Sequence, residues 1–313
     1  MMAKSTDWPE KPVKPLDSDC CGNGCVPCVF DIYDEEVKIW EQECLRLKQK
    51  DNEPENVSDS EDSGNEEPVL SKDKYRRVKI ISVTMETKDS ARYRMRLPRG
   101  KSLGLSIGQH IIIRGYLDST PVTRQYTPIS SVEVKGYFDL LIKIYPKGQM
   151  SQIVKRWKEG EYVDVRGPFG SFSYKLNQCQ TLYLLAAGTG IAPMSQVIQG
   201  ILGEEDEETR VRLIYACRTY SDILMKTELD AWSSFWNFSV IYALSQESDE
   251  PSRCYRYGDQ VHAGRVSDTL LDSELGNKKE NLLVLICGTK TFEADMIDHL
   301  KTLGLSEDKF FRF

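Results

Sequence analysis

The sequence predicts a two-domain molecule: an antiparallel β-barrel, then an α/β doubly wound parallel sheet, with a small Cys-rich head on a disordered acidic linker. Three observations predict it. Residues 75–174 hold short β-rich runs punctuated by Gly and Pro, the pattern of an antiparallel barrel or sandwich. Beyond residue 180, continuously apolar strands alternate with amphipathic helices, as in a parallel sheet covered on both faces. Residues 51–67 hold eight acidic side chains and no basic one, too little apolar surface to offset chain entropy. The boundaries follow: head 1–50, linker 51–71, barrel 72–177 and α/β domain 178–313.

Bulk properties exclude several classes. A chain of 313 residues with 40% hydrophobic content suits two domains with buried cores. The longest apolar runs, such as LLVLICG at 282–288, fall far short of the roughly 20 residues that span a bilayer. No transmembrane segment is therefore expected. The N-terminus shows no apolar signal core and no glycine after the first Met, so a cytoplasmic location is expected, peripheral to membranes at most through a partner. Nine cysteines without a secretory signal read as reduced thiols. The net charge of −7 sits in the linker, the remainder being nearly neutral, so no nucleic-acid partner is indicated. A monomer is expected.

The barrel strands read in order as YRRVKIISVTMET, ARYRMRLP, GQHIIIRGY, RQYTPIS, YFDLLIKIY and EYVDVRGPFG, with one helix near 151–157. The α/β units follow: strand TLYLLAAG, helix APMSQVIQGIL, strand RVRLIYAC, helix DILMKTELDAW, strand FSVIYALS, helix VSDTLLDSEL, strand NLLVLICG, helix TFEADMIDHLKTLG, and a closing strand KFFRF. The first of these turns, LLAAGTGIAPM at 184–194, is where α/β proteins favour a phosphate, near the topological switch point. Its spacing fits neither G-x-G-x-x-G nor an ATP-binding loop. Gly188-Thr189-Gly190 lets backbone N–H groups approach an anion, and Pro193 suits a first helical turn. On these residues alone, a phosphate site and a turn packed for its own sake both stand.

The motifs taken together resemble the NADH-cytochrome b5 reductases, of the ferredoxin-reductase-like flavoenzymes, over roughly residues 74–313. RQYTPIS is similar to the family's R-x-Y-[TS] flavin motif. The resemblance implies that Arg124 neutralises the FAD pyrophosphate, Tyr126 lies against the isoalloxazine and Thr127 bonds the flavin ring, with Gln125 between them. It implies that Leu141, Lys143 and Tyr145 in the next strand, and the turn Gly148, Gln149, Met150 and Ser151, complete the FAD site. Gly188, Thr189, Gly190, Ala192, Pro193 and Met194 match the nicotinamide–flavin junction, with Ala192 where a hydroxyl residue often stands. Asp222 matches an acidic position associated with NADH preference, where a carboxylate accepts ribose hydroxyls and repels the extra phosphate of NADPH. A helix N-cap before Ile223 is the other reading of Asp222.

ICGTKTF aligns with a C-G-P-P-P-M motif, keeping Cys287 and Gly288 and losing the prolines. Cys287 is read as helping catalysis beside the nicotinamide, with Thr127 as the other catalytic candidate; C-terminal Phe313 matches the family's flavin-shielding aromatic. The implied activity is hydride transfer from NADH to FAD, then single electrons to cytochrome b5 or a similar haem protein. Two other functions stand: a flavoenzyme with another acceptor, or a non-catalytic scaffold recruiting partners through the head. KDKYRRVKI and ARYRMRLPRGK offer basic residues to steer an acidic partner. CCGNGCVPCVFDIYDEE resembles the short oxidoreductase-like N-terminal domain. Cys20, Cys21, Cys25 and Cys28 are candidate ligands for Zn or another metal, a labile disulfide and free thiols being the other readings.

Overall fold

The computed structural model describes residues 11–15, 29–50, 68–247, 255–276 and 281–313. The candidate ligands Cys20, Cys21, Cys25 and Cys28 and the acidic stretch 51–67 lie outside them. No element is expected for the head, yet it holds a helix, α1 (Val29–Lys50).

Six strands form the first sheet: β1 (Arg76–Thr87), β2 (Ser90–Arg96), β3 (His110–Leu117), β4 (Thr120–Tyr126), β5 (Tyr137–Lys143) and β6 (Tyr162–Phe169). Their spatial order is β4-β3-β6-β1-β2-β5, antiparallel throughout. Among the described residues no ladder joins β4 to β5, so the barrel is open there. The short helix α2 (Gln149–Val154) packs against β3 and β4. Gly115 lets it approach: a Cβ there would lie 2.7 Å from Ile153. Ile80, Met95, Ile111, Ile113 and Leu140, all fully buried, fill the interior.

The second sheet is parallel: β7 (Thr181–Ala187), β8 (Arg210–Cys217), β9 (Phe238–Leu244), β10 (Gln260–Ala263), β11 (Leu282–Cys287) and β12 (Phe310–Arg312), in the order β10-β9-β8-β7-β11-β12. The chain reverses direction of travel across the sheet between β7 and β11, which is the switch point. Alternate residues of the strands face opposite ways. Leu182 and Leu184 meet α3 (Ile191–Leu202), while Tyr183 and Leu185 lie with α5 (Asp268–Leu275) and α6 (Lys290–Thr302).

Three elements differ from the sequence expectation. RQYTPIS is strand only to Tyr126, because Pro128 has no N–H for a ladder. The helix expected from Asp222 starts instead at Lys226, as α4 (Lys226–Trp232). Met225 before it is left-handed, φ 56°, and Ile223, Leu224 and Met225 are buried, so the stretch plugs the core rather than winding a turn. Asp222 therefore caps no helix. Strand β10 was not expected at all.

Candidate functional site

A cleft of about 450 Å³ lies at the seam of the two sheets, at the carboxyl ends of β7 and β11. Barrel residues Arg124, Gln125, Tyr126, Thr127, Leu141, Lys143 and Tyr145 line one wall, and Gly148, Gln149, Met150 and Ser151 line its corner. Thr189, Gly190, Ala192, Pro193, Cys287, Gly288 and Phe313 form the opposite wall. Segments more than 150 positions apart in sequence thus meet around one space.

The loop after β4 is pinned from both domains. Ile129 N–H donates to the Asp139 carbonyl at 2.8 Å, and Asp139 N–H donates to Ser130 Oγ at 3.1 Å. The buried Asp139 carboxylate accepts two bonds of 2.8 Å from Arg94. From α3, Gln196 Nε2 donates to the Pro128 carbonyl at 3.1 Å and Gln199 Nε2 to that of Ile129 at 2.9 Å. Gln196 Oε1 also accepts from Gly108 N–H at 3.0 Å. Thr127 thus stands between Tyr126, the last β4 residue in the ladder opposite Ile111, and this pinned loop.

Two glycines permit close approach. A Cβ on Gly190 would stand 2.1 Å from the Cys287 carbonyl oxygen, so only glycine lets the first turn of α3 meet the end of β11. On Gly148 it would stand 2.8 Å from Ser151 Oγ, which accepts from Tyr145 N–H at 3.0 Å and closes the turn into α2.

The turn without prolines is tied by other means. Thr289 Oγ1 accepts from Phe292 N–H at 3.3 Å, capping α6, and Glu293 accepts from Gly288 N–H at 3.1 Å. Burial pushes the Glu293 carboxyl up, and it pushes the Cys287 thiol up to about 12. Cys287 is thus a neutral thiol at physiological pH rather than a nucleophilic thiolate. Phe313 packs on Phe172 of the barrel, ring centroids 5.2 Å apart, with Phe311 completing the cluster.

Three expected residues lie elsewhere. Met194 is fully buried in the α3 core and gives the cleft no surface. Gly188, left-handed at φ 53°, accepts from Tyr215 Oη at 2.8 Å and is not in the lining. Asp222 is nearly buried and engaged: it accepts from Arg218 and from Thr219 Oγ1, each at 3.0 Å. Arg218 also donates to Asp89 at 2.7 Å, and Asp89 pairs with Lys143 at 3.3 Å. This chain of charges joins Asp222 to the cleft wall and one domain to the other.

Sequence reasoning missed His110, Phe172, Glu293 and Arg312, which also line the cleft. His110 opens a strand whose next three residues are isoleucines buried on both faces, so the signal was its place at the head of a run with no solvent side. Glu293 signalled itself only as an acid in the first turn of α6. His110 Nε2 is buried with no hydrogen-bond partner, and burial holds the imidazole down at about 4. An orphaned polar atom on a cleft wall suits a polar ligand that supplies its partner. The Arg124 guanidinium and the rings of Tyr126, Tyr145, Phe172 and Phe313 in the same lining fit a flavin dinucleotide.

An open barrel ahead of a doubly wound sheet, with a cleft where the switch point meets the barrel, defines a two-domain nucleotide-cofactor oxidoreductase. Family models agree: Oxidoreductase FAD-binding domain matches residues 77–174, Oxidoreductase NAD-binding domain 184–298, and Oxidoreductase-like protein, N-terminal, 4–49. A Mus musculus protein named NADH-cytochrome b5 reductase-like is 40% identical over 97% of this chain and 95% of its own length. A Homo sapiens protein of the same name is 38% identical over 97% and 94%. The cytochrome b5 reductase domain of Ulva prolifera nitrate reductase superposes with TM-score 0.69 at 26% identity, over 79% of this chain and all of that one. The chain belongs to the NADH-cytochrome b5 reductase-like family and is an FAD- and NAD-binding oxidoreductase.

Proposed function

We propose that the cleft holds FAD against the nicotinamide of NADH and that the chain passes electrons on to cytochrome b5 or a similar haem protein. The carrying observation is the convergence of Arg124, Tyr126 and Thr127 with Gly190, Cys287 and Phe313 around one space. When bound, FAD supplies hydride acceptance and one-electron release.

The chain's own part is positioning and electrostatics. Arg124 offers its guanidinium to the pyrophosphate, and the backbone at Gly148–Ser151 offers donors beside it. Tyr126 presents its ring to the isoalloxazine, while burial raises its hydroxyl pKa and keeps it neutral. Thr127 donates or accepts at the flavin edge. Thr189 and Gly190, at the turn that opens α3, lie against the NADH phosphates, with Ala192 and Pro193 beside them on the same wall. Cys287 would border the nicotinamide as a neutral group, and Phe313, packed on Phe172, would cover the flavin ring. Asp222 receives ribose hydroxyls with Arg218 beside it.

For the acceptor, Arg92 and Arg94 are already paired with Glu86, Glu228 and Asp139. The exposed Lys72, Lys74, Arg96 and Arg99 carry the steering. Purified protein with NADH and cytochrome b5 tests this reading: haem reduction supports it, and flavin reduction without haem reduction moves the acceptor elsewhere. Arg124→Ala and Tyr126→Ala each lower flavin content; full retention of FAD in both variants removes the site assignment.

A further inference from the structure

We infer that the adenosine half of FAD lies in a second cavity walled jointly by the head and the barrel, with Tyr33 as the head residue that packs against it. The inference rests on the FAD reading above. The cavity measures about 390 Å³, within the range of small-ligand pockets. Tyr33 of α1 and Val29 line it from the head, and Asp118 and Thr120 line it from the β3–β4 turn. Arg124 and Gln149 line both this cavity and the cleft. A ligand with its pyrophosphate at Arg124 therefore has one half in each space.

The barrel alone leaves this side bare. Only residues 144–148 connect β5 to α2, and that turn is closed on itself through Tyr145 and Ser151. The head supplies the missing wall and is seated firmly. Glu36 of α1 accepts from Tyr75 Oη at 2.7 Å and from Arg166 Nη2 at 3.4 Å. Arg166 is 1% exposed, and its guanidinium lies over the rings of Tyr75 and Phe169 at 5.2 and 5.3 Å. A buried guanidinium requires a carboxylate partner, so Glu36 anchors the helix whose previous turn presents Tyr33. The chemistry suits a nucleoside: a phenol ring for the base, and the Asp118 carboxylate for ribose hydroxyls. Asp118 stands in a two-residue turn with φ 48° and 66° at Asp118 and Ser119, which fixes its place.

Titration of the full chain, stripped of flavin, with FAD and with FMN tests this, because FMN lacks the adenosine. Wild type is expected to bind FAD at least tenfold more tightly than FMN. Tyr33→Ala and Asp118→Ala are expected to narrow that ratio at least fivefold with FMN affinity unchanged within twofold, and Tyr33→Phe to preserve it. An unaltered ratio in both alanine variants overturns the assignment, as does equal weakening of both flavins. Wild type that binds neither flavin defeats the cofactor reading itself.

Discussion

His110 enters the fold neutral, its imidazole held down at about 4 by burial against an unfolded value of 6.5. Between those values the unfolded chain binds a proton that the folded chain refuses. Stability is thus fully present above about pH 6.5 and falls toward pH 4, by up to about 3 kcal/mol from this group. Urea midpoints of the flavin-free protein, measured from pH 7 to 4.5, should drop more steeply for wild type than for His110→Gln; parallel curves would reject the assignment. Arg124, Tyr126 and Thr127 were legible because their spacing belongs to a motif. His110 and Glu293 were not, since a single titratable residue acquires its meaning only from the wall it faces. Met194 shows the reverse: a motif position whose side chain the structure spends on the core.

Elements meet at backbone contacts that tolerate no side chain. Gly190→Ala would drive a Cβ into the Cys287 carbonyl, forcing α3 away from β11. A loss of about 2–4 kcal/mol is expected, together with loss of NADH-dependent flavin reduction; a thermal midpoint within 1–2 °C of wild type contradicts this contact. The strands and most helices were readable from periodicity, since apolar runs and amphipathic stretches are imposed by two-sided burial. The exceptions have physical causes. Strand β10 spans only four residues, too few for a pattern. The start of α4 was misplaced because Ile223 to Met225 read as helix but are drawn into the core in another conformation. The head helix carries its anchoring carboxylate, Glu36, in a run of acids where nothing marks the one that pairs with Arg166.

At the scale of the molecule, the seam decides function. The ion chain Lys143–Asp89–Arg218–Asp222 and the Arg92–Glu228 pair at 2.6 Å cross it. Asp89 is held below the ordinary carboxylate range by hydrogen bonds from Arg218 and Ser90 and the Lys143 charge, which outweigh desolvation. Asp89→Asn should loosen the seam, raising KM for NADH severalfold while flavin content holds; an unchanged KM places the network outside nucleotide binding. If Lys72, Lys74, Arg96 and Arg99 steer the acceptor as proposed, haem reduction slows as ionic strength rises; a rate that salt leaves unchanged removes them from the docking. The central claim is that one cleft brings nicotinamide to flavin. It is tested most directly by the anaerobic absorption spectrum of the FAD-loaded chain with stoichiometric NADH. The account predicts bleaching of the flavin band near completion in wild type. A yellow protein whose spectrum NADH leaves unchanged would contradict it.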